Sequence, residues 1–314
     1  MSKSERRGKE QAGEEQRDDA GSQLSLWPAA KGEPAPGIQE QRTTEQISRP
    51  FVPSPESARA AGQDPGAPDP VAAPWSLTDL GAFVVFVVAV ALPVAFLGTA
   101  GVFLALRELF GWESTVTEAF TRTPLIVAMQ TGWEALWLGF IYFTATVKYQ
   151  RRFWEAVGWR LGRHRPRNWM AAGAGLALAA QLYFYISPTE NELPIEQLFS
   201  SPGAGYALAI FGILVAPFVE EVVFRGFVYP VFERKWGLAA AVLLTATLFA
   251  VIHASQLWGG WEEIAAIFIV GVAFSYARGK TGSLAPSYLM HVGYNTALFV
   301  SLYLSTDGFQ TLSG

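Results

Sequence analysis

From about residue 80 onward the chain alternates long apolar runs with short polar connections. Runs free of Asp, Glu, Lys and Arg cover 80–106, 168–189, 236–261 and 281–306, and 197–219 runs into a pair of glutamates. Residues 123–147 form another, broken only by Glu134, and 264–277 form a shorter one. With a rise of about 1.5 Å per residue, a run of roughly 20 residues crosses the hydrocarbon core of a bilayer. The pattern predicts an all-α, polytopic transmembrane helical bundle of about seven spans. Six or eight follow if the helix with the paired glutamates is split or a re-entrant piece exists.

Residues 1–75 carry 9 Lys/Arg, 12 Asp/Glu and 10 prolines, with few aromatic or β-branched residues. Such a segment buries too little apolar surface to offset its ordering entropy, so it reads as a disordered tail. It lacks an apolar run behind a basic start and is therefore not a secretory signal peptide. The expected organisation is a tail over 1–75 and a transmembrane domain over 76–314. Loop charge sets orientation. The connection 148–167 holds seven Lys/Arg against Glu155, whereas 188–203 has none and 257–263 only Glu262 and Glu263. Basic loops face the cytoplasm, which places the tail inside, in a plasma or inner membrane. Trp75, Trp112, Trp154, Trp159, Trp169, Trp236, Trp258 and Trp261 fall at span ends, where amphipathic rings favour the interface. Trp258-Gly-Gly-Trp261 reads as a tight turn, while Gly173-x-Gly175 is too weak a signal for an interface. The absence of cysteine excludes disulfide and thiolate chemistry. A net charge of −4 with no basic face outside the loops gives no nucleic-acid partner. The expected partners are the lipid bilayer and a membrane-associated protein or peptide.

The charges inside the apolar runs carry the chemistry, because ionisable groups are costly in lipid. Glu220 and Glu221 are adjacent, and Arg225 lies one turn from Glu221, so those two pair on one face. Glu220, about 100° around the helix from Glu221, is left to face another element. Two histidines sit in apolar runs. His253 follows Phe249 by four residues and His291 precedes Asn295 by four, so each couple shares a helix face. His164, in a basic loop, reads as solvated. Pro217 removes a backbone hydrogen bond and should kink the helix ahead of Glu220, as Pro286 should ahead of His291. Counting residues from the basic ends, Glu220, His253 and His291 converge on one polar cavity nearer the cytoplasmic side.

A carboxylate beside imidazole is a suitable general base for water, and His or Asn donors can stabilise the oxyanion of an attacked amide. The same Glu220, His253 and His291 are also a candidate zinc set, since two histidines and a carboxylate are common catalytic zinc ligands. Spacing does not separate the two chemistries. Glu134 either lines the cavity or hydrogen-bonds as a neutral acid between helices, and the structural reading is favoured.

The ordered set Glu220-Glu221-x-x-x-Arg225, Phe249-x-x-x-His253 and His291-x-x-x-Asn295 resembles the CAAX prenyl protease and bacteriocin-processing family. That family includes the type II CAAX prenyl endopeptidases. The resemblance covers roughly 120–310, with its specific part in 206–305, and no motif position departs from the pattern. It implies an intramembrane endopeptidase in which Glu220 and His253 activate water while His291 and Asn295 stabilise the oxyanion or complete the site. Glu221, Arg225 and Phe249 would be supporting, and the mechanism glutamate-type or metal-dependent. A non-catalytic membrane scaffold or immunity protein of the same fold is the alternative. A proton-coupled carrier ranks last, because the polar residues do not extend to both faces.

Overall fold

In the computed structural model, the described residues are 73–120, 122–162, 165–188 and 193–310. The tail expected upstream of residue 73, and His164, lie outside them. All regular structure among the described residues is helical. We number the helices α1 (Leu77–Phe110), α2 (Val116–Ala119), α3 (Thr123–Phe143), α4 (Phe153–Ala156) and α5 (Pro166–Ile186). After these come α6 (Pro202–Ile210), α7 (Ala216–Glu221), α8 (Tyr229–His253), α9 (Trp261–Thr281) and α10 (Leu284–Ser305).

Four stretches are long and apolar enough to cross a membrane: Leu77–Phe110, Pro166–Ile186, Pro202–His253 and Trp261–Thr281. The third joins two expected spans, and Gly237 (φ 78°) breaks it into two rods. Glycine serves there because a left-handed φ is strained for any residue with a Cβ. α3 and α10 are long enough but less apolar, because they carry Gln130, Glu134, His291 and Asn295. The short expected span 264–277 is a full 21-residue helix. Glu262 and Glu263 lie in its first turn and Arg278 and Lys280 in its last, so its charges oppose the helix dipole and extend it past the apolar run.

The outer faces are apolar and the charges are inside, the reverse of a water-soluble protein. Val84, Leu97, Leu109, Leu182, Val251 and Leu304 are exposed, while Glu134, Glu221, Arg225 and Arg278 are buried. The chain is an integral membrane protein. α5 packs along α10 at the closest helix crossing. A Cβ on Gly173 would strike the Met290 carbonyl, and one on Gly293 the Met170 carbonyl. Small residues let helix backbones approach in this way. Gly173 is thus an intramolecular contact, whereas a Cβ on Gly175 would meet nothing.

Proline shapes the segment that carries the glutamates. Wide π turns at Phe211–Val215 and Val222–Val228 flank α7. In each, bonding shifts from four residues to five, and the next donor in line is a proline with no N–H. Pro217 leaves the Gly212 carbonyl free, and Asn295 Nδ2 donates to it at 2.6 Å. Pro230 leaves the Arg225 carbonyl free, and Arg278 Nε donates to it at 3.0 Å. The expected break at Pro217 therefore takes the form of a π turn stitched to α10. Pro286 does not kink α10, because it lies in the first turn, where a backbone N–H is easily spared.

Trp75 corrects an expectation. It is fully buried rather than interfacial. Its indole donates to the Gly226 carbonyl at 2.9 Å and packs edge-on against Phe227. Arg234 holds the Ala73 and Trp75 carbonyls, and Asp79 pairs with Lys148 and accepts from the Tyr149 hydroxyl. These contacts fasten the start of α1 against the glutamate-bearing segment.

Candidate active site

Glu221 and Arg225 pair as their spacing predicts, with Nη1 2.9 Å from Oε1 and both side chains fully buried. The other guanidinium N–H groups reach Ser275 Oγ (3.3 Å) and the Gly271 carbonyl (3.2 Å) on α9. The Phe249 ring lies 4.4 Å beneath the guanidinium. Phe249 therefore packs against Arg225 as well as against His253 (4.7 Å between ring centroids). Ser275 and Gly271 were not singled out from the sequence. The signal that could have found them is a pair of small residues one turn apart, on an apolar helix that must receive a buried guanidinium.

Both imidazoles are held by Nδ1. His253 Nδ1 lies 2.8 Å from the Phe249 carbonyl, an acceptor, so Nδ1 carries the proton. His291 Nδ1 lies 3.1 Å from Glu221 Oε1, which already accepts from Arg225, so it too is the donor. In the neutral rings each Nε2 then presents a lone pair, and both face Glu220. His253 Nε2 is 3.8 Å from Oε1 and His291 Nε2 is 3.6 Å from Oε2. These separations exceed direct hydrogen bonds. The Glu220 carboxylate therefore sits between two oriented imidazoles without being locked to either.

The donor types suit zinc, but among the described residues no three His, Asp or Glu side chains are grouped closely enough to hold a metal ion. The Glu220, His253 and His291 set does not fit a metal, and no step below is routed through one.

Glu220 stands where two cavities meet. One, of about 350 Å³, is lined by His291 and Asn295 and extends toward Leu198, Phe199 and Leu302. The other, of about 690 Å³, lies between α1 and α8 and extends toward Leu77, Val228 and Phe232. Gln130, Glu134, Glu220, His253 and Gln256 line both. The site was expected in one cavity toward the basic loops, but the junction is approached from both ends. α3 was also expected to use Glu134 between helices. Instead Gln130, one turn earlier on the same helix, donates to Glu134 Oε1 at 2.9 Å.

Residues 202–297, which contain all three motifs, match the family model "Type II CAAX prenyl endopeptidase Rce1-like". The motif-bearing segment is thus similar to that family. The match is narrower than the 120–310 expected. Among curated proteins the chain is 27% identical over 186 residues to UPF0177 protein YbdI of Lactococcus lactis subsp. lactis (strain IL1403), covering 56% of this chain and 87% of that protein. It is 33% identical over 91 residues to an uncharacterized 24.3 kDa protein of Escherichia coli, covering 28% of this chain and 40% of the relative. UPF0177 protein YaiF of the same Lactococcus strain is 28% identical over 123 residues, 38% of this chain and 51% of the relative. No solved structure matches. The Rce1-like segment supplies Glu220, Glu221, Arg225, His253, His291 and Asn295, while the cavity wall formed by α1 and α3 lies outside it.

Proposed function

We propose that the protein is a membrane-embedded endopeptidase that hydrolyses peptide bonds of membrane-associated proteins with water activated by Glu220. The observation that carries this reading is the Glu220 carboxylate, held between two Nδ1-anchored imidazoles at the meeting of two cavities in an Rce1-like segment. Glu220 takes a proton from water as the oxygen attacks the amide carbon. His253 Nε2, whose lone pair faces the same carboxylate, accepts from that water to orient it, and the proton taken by Glu220 passes to the leaving amine as the C–N bond breaks. General acid–base groups of this kind contribute roughly 10²–10⁴-fold. Asn295 keeps one amide N–H beyond the one given to Gly212 and can donate it to the developing oxyanion. Glu221 and Arg225 orient His291.

The larger cavity favours a membrane-associated substrate, either lipid-modified (a prenylated CAAX-type protein) or leader-bearing. Its lining includes Val84, Val88, Leu248 and Val251, which also face outward toward lipid. We place the protein in the plasma or inner membrane with its basic loops cytoplasmic. Among the described residues the ionisable lining groups are Glu134, Glu220, His253, His291 and Tyr294, at the junction and beside it, which does not favour the path of a carrier.

The test compares new peptide termini in membranes from cells expressing the native protein or Glu220→Ala at equal levels. Termini made only by the native protein support the reading. Identical profiles would favour a non-catalytic immunity or scaffold role.

A further inference from the structure

The oxyanion site as derived is short of donors. His291 spends its Nδ1 proton on Glu221 and turns a lone pair toward Glu220, so in its neutral form it has nothing to donate. Asn295 has one N–H left. Oxyanion sites in acyl transfer gather several donors aimed at the oxygen where charge develops. A second donor must come from another wall of the cavity.

The opposite wall is α3: its Trp133 and Trp137 indole N–H groups are buried without a partner but line only the larger cavity, whereas its unpartnered carboxyl group, on Glu134, lines both. Glu134 is buried, with 2% of its surface exposed, and it lines both cavities together with Glu220 and His253. Oε1 accepts from Gln130, while Oε2 is buried with no hydrogen-bond partner among the described residues. Among the described residues no Arg or Lys lines either cavity. The titratable groups that share these cavities with Glu134 are Glu220, His253, His291 and Tyr294. A carboxylate buried without a cation is so costly that it neutralises instead. With Oε1 serving as acceptor, the proton belongs on Oε2, the oxygen without a partner.

We propose that Glu134 is a further catalytic residue, a neutral carboxylic acid whose Oε2–H donates a hydrogen bond to the carbonyl oxygen of the scissile amide. This deepens the peptidase reading and rests on it. The donor strengthens its bond as the carbonyl becomes an oxyanion, so it acts on the transition state more than on substrate binding. It lies outside the Rce1-like segment, on a helix brought to the site only by the fold.

The experiment uses reconstituted full-length protein, with the peptide found to be cleaved by the native enzyme and not by Glu220→Ala. Removing one oxyanion donor costs about 10²–10³ in kcat. Glu134→Leu should therefore lose about that factor in kcat with KM little changed, at an unfolding midpoint close to native. Glu134→Gln, which keeps an N–H donor, should stay within roughly tenfold of native, since a donor of similar reach remains. Infrared difference spectra should show a neutral-carboxyl band in the resting protein that disappears in Glu134→Gln. A Glu134→Gln as inactive as Glu134→Leu would overturn the proposal in favour of an ionised Glu134 that reads a cation. Native kcat in Glu134→Leu, or no neutral-carboxyl band, would overturn it while leaving the Glu220 chemistry standing. Failure of the native protein to cleave would remove both.

Discussion

Glu220 and Glu221 are neighbours in sequence and opposites in surroundings. Glu221 is sealed on all sides, with Arg225 and His291 on one oxygen and no exposed surface. Glu220 is approached by two imidazoles at distances longer than hydrogen bonds and lines two cavities. One step along a helix turns a side chain by about 100°, which is enough to send one carboxylate into the protein and the other into the cavity. The sealed region has its ion pair and its imidazole contact made within the protein, both on Glu221 Oε1. The open region holds groups whose partners are supplied by whatever enters. A buried ion pair holds the architecture, and a loosely held carboxylate beside it does the chemistry.

The difference can be broken deliberately. Glu220→Gln keeps the shape and removes the base, and should lower kcat by at least about 10³ with an unchanged unfolding midpoint. Steady-state cleavage beside a thermal melt checks both halves. Glu221→Gln should do the reverse first. It leaves the Arg225 charge buried and unpaired, which costs about 3–5 kcal/mol and shows as a lowered midpoint and reduced folded yield. The double variant Glu221→Leu/Arg225→Leu sharpens the point. It should recover much of that yield, since apolar replacement of a whole buried pair is often neutral. It should not recover activity, because His291 loses the acceptor that orients it.

Smaller effects follow for the stitch and the crossing. Gly173→Ala should cost about 1–3 kcal/mol, the scale of an overpacked core, by driving α5 away from the Met290 carbonyl. The unfolding midpoint reads it. Asn295→Ala removes the donor to Gly212 and leaves that carbonyl unpaired, a cost of about 1–3 kcal/mol. It should also lose activity beyond what the midpoint explains, through its remaining N–H. A loss of stability alone would restrict Asn295 to the stitch.

Much of this site was legible in the chain. The i,i+4 spacings gave the Glu221–Arg225 pair, the Phe249–His253 contact and the separate outlook of Glu220, because helical geometry is local. Pro217 announced a break, though its form required a donor on a distant helix, the Asn295 amide N–H that meets the freed Gly212 carbonyl. What could not be read was the set of contacts made across helices: the second role of His291 as a donor to Glu221, the receiving surface of Ser275 and Gly271, and the burial of Trp75. These depend on helix rotation and depth, which residue counting from loop ends estimates loosely. That looseness also put the cavity at one end of the bundle, when the structure brings cavities to Glu220 from both. Glu134 shows the same limit. Its charge in an apolar run raised two readings, a cavity wall or a bond between helices, and packing decides for the wall it shares with Glu220.

The most direct measurement is cleavage of a defined membrane-associated peptide by purified, reconstituted Glu220→Gln, with native and Glu221→Gln proteins alongside and all three matched for folded fraction. The account predicts no detectable cleavage by folded Glu220→Gln, and residual cleavage by whatever fraction of Glu221→Gln remains folded. Native-like turnover by Glu220→Gln would contradict it, because the loosely held carboxylate would then be no part of the chemistry.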